Sequence, residues 1–99
     1  MAAISFEAFR KTLEGTAPPV GSSPMLEAMW REAKGDWDAA HRLAQDQDDA
    51  EGAWVHAYLH RVEGDLSNAG YWYRRAGKLT SQEPLREEWT GIVKALLEA

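Results

Sequence analysis

Ninety-nine residues suffice for one domain, and a chain this short buries only about two-thirds of its unfolded surface, so its core must be efficient. A formal charge of −5 argues against nucleic acid, which needs a basic footprint, and the lack of cysteine removes disulfides and thiolate metal sites. No apolar run approaches the roughly 18 residues of a membrane span and the first residues show no leader pattern, so a cytoplasmic domain that binds neither membrane nor nucleic acid is expected.

Phe6, Phe9 and Leu13 recur at helical spacing behind Ser5, a candidate cap, which predicts a capping helix over about 5–14. Residues 16–23, TAPPVGSS, read as a loop, because Pro18, Pro19 and Gly21 oppose helix and strand alike. Ser23 followed by Pro24 opens a second helix with the apolar stripe Leu26, Met29, Trp30 and Ala33. Gly35 ends it, and Asp36 caps a third helix with the stripe Trp37, Ala40, Leu43 and Ala44. The acidic run 45–52, QDQDDAEG, reads as a loop. A fourth helix is expected over about 52–63, ended by Gly64, and Asp65 caps a fifth over about 66–76. A last capping helix over about 82–98 carries Leu85, Trp89, Ile92, Val93 and Leu96 on one side. Nowhere do β-branched residues alternate with polar ones. The prediction is a single all-α domain over 1–99 with about six helices.

Residues 32–44, EAKGDWDAAHRLA, are echoed by 61–73, RVEGDLSNAGYWY. Gly35 matches Gly64, Asp36 matches Asp65 and Ala40 matches Ala69. Each copy reads as helix, Gly-Asp turn, helix, which gives two hairpins at about 23–47 and 52–77. The G-D-x-x-x-A turns at Gly35–Ala40 and Gly64–Ala69 resemble those of the tetratricopeptide-repeat superfamily, and NAGYWYRRAG is similar to the helix that follows the turn in related short repeats. The spacing from Gly35 to Gly64 is 29 residues, shorter than the 34 of those repeats. The stretch AWVHAYLHRVEGDLSNAGYWYRRAG, 53–77, also resembles the signature of a family of short uncharacterised bacterial proteins. These resemblances imply two tetratricopeptide-like hairpins between flanking helices, and they imply no chemistry.

On a helical wheel Trp54, Val55, Tyr58, Leu59 and Val62 share the core arc of the fourth helix. Trp54 is expected to be buried and to touch Tyr73 across the second hairpin. His56, His60 and Glu63 fall together on the flank of that arc. Two imidazoles one turn apart suit a metal, and a carboxylate one turn on is a candidate third ligand. Zincin helices carry a Glu beside the first His, whereas position 57 here is Ala. His41 would complete a three-His site if the fold brought it near. Without a visible third ligand, no metal and no other cofactor are expected, and His56 and His60 read as partly buried rings that hydrogen-bond to a carbonyl or carboxylate.

On the fifth helix Leu66, Ala69, Trp72, Tyr73 and Ala76 share one face. Arg74, Arg75 and Lys78 form a small basic patch, suited to a carboxylate or phosphate, or to pairing with Asp46, Asp48, Asp49 and Glu51 or with Glu87 and Glu88. Tyr71, Arg74 and Arg75 therefore join His56, His60 and Glu63 as candidate binding residues. There is no Gly-rich phosphate loop and no activated nucleophile, so no catalytic residue is assigned. The expected function is a non-catalytic module that binds a peptide or protein partner, a second copy of itself included. The alternative is a small-ligand-binding or metal-dependent enzyme built on the His56, His60 and Glu63 flank.

Overall fold

A computed structural model describes residues 4–99. Among them there is no strand, and the fold is all-α. The elements are α1 (Phe6–Lys11), which tightens into a 3₁₀ turn over Thr12–Glu14, then α2 (Pro24–Ala33), α3 (Trp37–Gln45), α4 (Ala50–Val62), α5 (Leu66–Ala76) and α6 (Leu85–Glu98). None of these helices is long and apolar enough to cross a membrane.

The helix starts are written locally. The side chains of Ser5, Ser23, Asp36 and Asp65 accept hydrogen bonds from the backbone N–H groups of Ala8, Leu26, Ala39 and Asn68. Gly35 and Gly64 take left-handed φ values of 91° and 87°, which closes the preceding helix and lets Asp36 N–H and Asp65 N–H donate back to Arg31 and His60 carbonyls at 2.9 Å. The two turns are thus equivalent in conformation as well as in sequence. Asp65→Ala should cost about 0.5–2 kcal/mol, and Asp36→Ala about the same, in denaturant titration. A neutral effect at either site would show that its carboxylate does not hold the first turn.

Two boundaries differ from expectation. α4 begins at Ala50, inside the run read as a loop, because Asp49 caps it and accepts from Gly52 N–H at 2.8 Å. Four carboxylates in that run concealed which one was the cap. α6 begins at Leu85, not near 82, because Pro84 is in an extended conformation (φ −53°, ψ 146°) and serves as the last residue before the helix.

α2 packs on α3 and α4 on α5, giving two hairpins. α4 lies at the centre, touching α2, α3, α5 and α6, while α6 also closes over α1 and α2. The main core joins Phe9, Met25, Met29, Trp30, Val55, Leu59, Ile92 and Val93. Buried Ala40 and Ala44 let α3 approach closely, and Ala57 and Ala69 do the same between α4 and α5. α4 packs against four other helices, so its flank is interior too: Ala53, His56, Ala57 and His60 are buried together with Val55, Tyr58 and Leu59 of its apolar arc. Trp54 and Tyr73 do belong to one cluster. Tyr73 is buried, but Trp54 is only half-buried, with the Lys78 ammonium 4.1 Å from its ring centre. Leu66, placed on the apolar face of α5, is 67 % exposed at the first position of that helix.

Candidate metal centre

α4 presents His56 and His60 one turn apart. α3 brings His41 against them, because Ala40, the residue before it, is buried in the core and holds that edge of α3 close to α4. One ring nitrogen from each of His41, His56 and His60 lies within 4.8 Å of the other two. His41 Nε2 and His56 Nε2 are 3.0 Å apart, a hydrogen bond in which one ring donates and the other accepts. His56 and His60 stack at 4.8 Å between centres, and His41 meets both edge-on.

The rings are held from outside the cluster. Trp37 stacks on His41 at 4.7 Å and is itself fixed by donating Nε1–H to the Leu59 carbonyl at 2.8 Å. Trp72 stacks on His56 at 3.9 Å, nearly parallel. His60 Nδ1–H donates to Glu63 Oε2 at 2.7 Å, which leaves the lone pair of that ring on Nε2. The Asn68 side-chain amide lies 3.4 Å from this Nε2. His56 and His60 are buried, and His41 is half-buried.

Burial sets the charge of the cluster. It pushes the His56 imidazole down to about 4, with neighbouring His41 and then His60 adding repulsion. Burial also lowers His41, and His60 adds to the effect while Glu63 and Asp38 oppose it. Both rings are therefore neutral at pH 7, the form that coordinates a metal. Tetrahedral zinc with bonds of about 2.0–2.1 Å sets its nitrogens about 3.3–3.4 Å apart. The 3.0 Å pair is close to that separation and the third ring nitrogen lies within 4.8 Å of both, so the rings would have to turn to point their lone pairs at one ion. The donor set fits a borderline metal ion, and the carboxylate on His60 Nδ1 is the support that ligating imidazoles characteristically have.

No protein-family model, no curated protein and no solved structure matches this chain.

Of the residues singled out in the sequence, the fold unites His56, His60 and Glu63 and adds His41 as the third imidazole. The expectation of no metal rested on a third ligand not visible in the sequence, and α3 places His41 beside the other two rings. Tyr71, Arg74 and Arg75 are not part of that three-ring cluster. Tyr71 hydroxyl accepts from Arg75 at 3.0 Å, and the Arg75 guanidinium sits 5.2 Å from the Trp72 ring centre. Arg75 approaches Asp48 only to 3.9 Å, and that Asp is fully exposed, so solvent screens the pair. Arg75 and His56 line one cleft of about 320 Å3 between the end of α3, the start of α4 and α5. Arg74 is exposed.

Glu88 does not serve the basic patch. It is buried, accepts from Arg61 at 2.8 Å and from the Tyr73 hydroxyl, and Arg61 also donates to the Glu83 carbonyl. This network was missed, although one signal for it exists. Glu88 falls on the Leu85, Trp89, Ile92 stripe, where a solvated carboxylate would not be placed.

Proposed function

We propose that this protein is a small helical metal-binding domain that holds one divalent transition-metal ion, zinc by donor type, on His41, His56 and His60. The observation that carries the reading is the convergence of three imidazole nitrogens from two helices within 4.8 Å, inside a shell that already fixes the rings. Enclosing the His56 imidazole beside two other rings penalises its charged form, a cost that an apolar side chain there would not carry. A scaffold needs only apolar side chains at those positions. The role is binding, and no turnover is assigned.

The test is titration of protein made without a His-tag and stripped with a chelator. Zinc should bind at about one ion per chain, and His56→Ala should abolish that stoichiometric binding. Glu63→Gln should weaken affinity about 10–100-fold, the usual effect of losing a carboxylate that supports a ligating imidazole. No zinc uptake, or uptake unchanged by His56→Ala, overturns the reading.

The second reading is a module for a peptide or protein partner, a second copy included. Its support is the pair of hairpins on matching Gly-Asp turns, the feature that resembles tetratricopeptide scaffolds, together with exposed Leu66 and Leu79. The two readings are compatible, since a metal joining α3 to α4 would stiffen the junction of the hairpins.

A further inference from the structure

We infer, resting on the metal-binding reading above, that a metal held by the three imidazoles keeps one exchangeable coordination position. That position takes water or a small single-donor anion, and Asn68 is the positioning residue that donates a hydrogen bond to it.

The argument begins with the donors that could close the site. The chain has no cysteine. Among the described residues the carboxylates gathered at His60 are Glu63 and Asp65. Glu63 is engaged by His60 Nδ1–H, on the far side of the ring from the coordinating nitrogen. Asp65 is engaged as the cap of α5, accepting from Asn68 N–H at 3.2 Å. Moving either to the metal would break an interaction that builds the site. Three ligands plus an open fourth position is the arrangement of catalytic zinc, whereas structural zinc is closed by four protein ligands.

Access follows from burial. His56 and His60 are enclosed, but His41 is half-buried, so the cluster meets solvent on the α3 side. Charge follows from the ligand set. Three neutral imidazoles leave the full 2+ charge on a divalent ion, which favours a coordinated anion and brings the pKa of a zinc-bound water to about 7. A small monoanion gains most from this. A bulky or multiply charged one meets Trp37 on one side of the cluster and the carboxylates of Glu63 and Asp38 near it.

Asn68 gives the position its direction. Its amide nitrogen is 3.4 Å from His60 Nε2. When Nε2 coordinates, the metal takes the lone pair that this amide faces, so the amide loses its acceptor and turns aside within reach of the metal's other ligands. The group it can then serve is the atom that enters the fourth position.

The test is cobalt(II) substitution of the full chain, followed by visible absorption, with azide as the small anion. The expected result is a four-coordinate cobalt spectrum that shifts between about pH 6 and 9 as the bound water ionises, and that shifts saturably with azide. Asn68→Ala should weaken azide binding several-fold while leaving cobalt affinity within about twofold, as loss of one hydrogen bond to the bound ligand predicts. Cobalt bands that ignore both pH and azide mean a closed site and overturn this inference while leaving the metal-binding reading intact. Equal azide affinity in the Asn68→Ala protein overturns the role of Asn68. Failure to take up cobalt at all overturns the metal-binding reading itself and this inference with it.

Discussion

Glu88→Ala should destabilise the protein by about 3–5 kcal/mol, the usual cost of removing one partner from a buried ion pair. The carboxylate is 5 % exposed and meets two donors from two other elements: the Arg61 guanidinium near the end of α4 and the Tyr73 hydroxyl of α5. Arg61 is itself largely covered, and it donates a further hydrogen bond to the Glu83 carbonyl just ahead of α6. Removing the carboxylate leaves the Arg61 cation without its counter-ion, with only the Glu83 carbonyl to accept from it, and the Tyr73 hydroxyl without its acceptor. Burial, the largest cause of the raised Tyr73 phenol, persists when the carboxylate is removed and opposes relief of the loss by ionisation. Against a total stability of about 5–15 kcal/mol for a domain, the loss is enough to unfold a marginal protein. Tyr73→Phe is the graded control. It removes one donor, keeps the Arg61–Glu88 pair, and should cost about 0.5–1.5 kcal/mol. Urea titration of both variants checks the ordering. A Glu88→Ala loss below about 1 kcal/mol, or a Tyr73→Phe loss as large as it, would mean that Glu88 is not the hub of this network.

The fold was legible wherever the determinant is local. Ser5, Ser23, Asp36 and Asp65 each cap a helix within three residues of themselves, so their neighbours in sequence suffice to identify them. The start of α4 was not, because Asp46, Asp48, Asp49 and Glu51 compete for one role and only the fold selects Asp49. Helical periodicity placed His56, His60 and Glu63 on one flank and anticipated partly buried rings bonded to a carbonyl or a carboxylate, which for His60 is Glu63. What it could not supply is the third ring. His41 is 15 residues from His56, on another helix, and reaches it only because Ala40 and Ala44 let α3 press against α4. Asn68 and the two stacking tryptophans are invisible for the same reason, since their relation to the rings is made by packing and not by spacing. The basic patch misled in the opposite way. Arg74, Arg75 and Lys78 are close in sequence, yet Arg75 lies over Trp72, Lys78 over Trp54, and no single anion site gathers them.

The metal-free protein should lose stability on mild acidification, in a range where most carboxylates are still ionised. The His56 imidazole is held down at about 4 by burial and by the adjacent His41 and His60 rings, against 6.5 in the unfolded chain. Between those two values the unfolded state binds the proton and the folded state does not, so stability falls as pH falls. The stabilising contribution is complete above about pH 6.5 and is lost progressively toward pH 4. For a shift of this size about 2 kcal/mol is gone by pH 5, and on the order of 3 kcal/mol by pH 4. At pH 5 that corresponds to a melting temperature lower by roughly 8–16 °C than at pH 7.5. His41 acts in the same direction, since burial lowers it too, while Glu63 and Asp38, facing the rings, soften the effect on it. His56→Gln keeps a polar side chain of similar reach and removes the titration. It should have a flatter melting profile across the same interval, whatever its stability at neutral pH. Zinc should deepen the acid sensitivity of the wild-type protein, because protons and metal compete for the same lone pairs, and should leave the His56→Gln profile unchanged. A wild-type melting temperature that stays level between pH 7.5 and 5 would place the His56 ring in solvent, and the enclosed three-imidazole cluster would lose its basis.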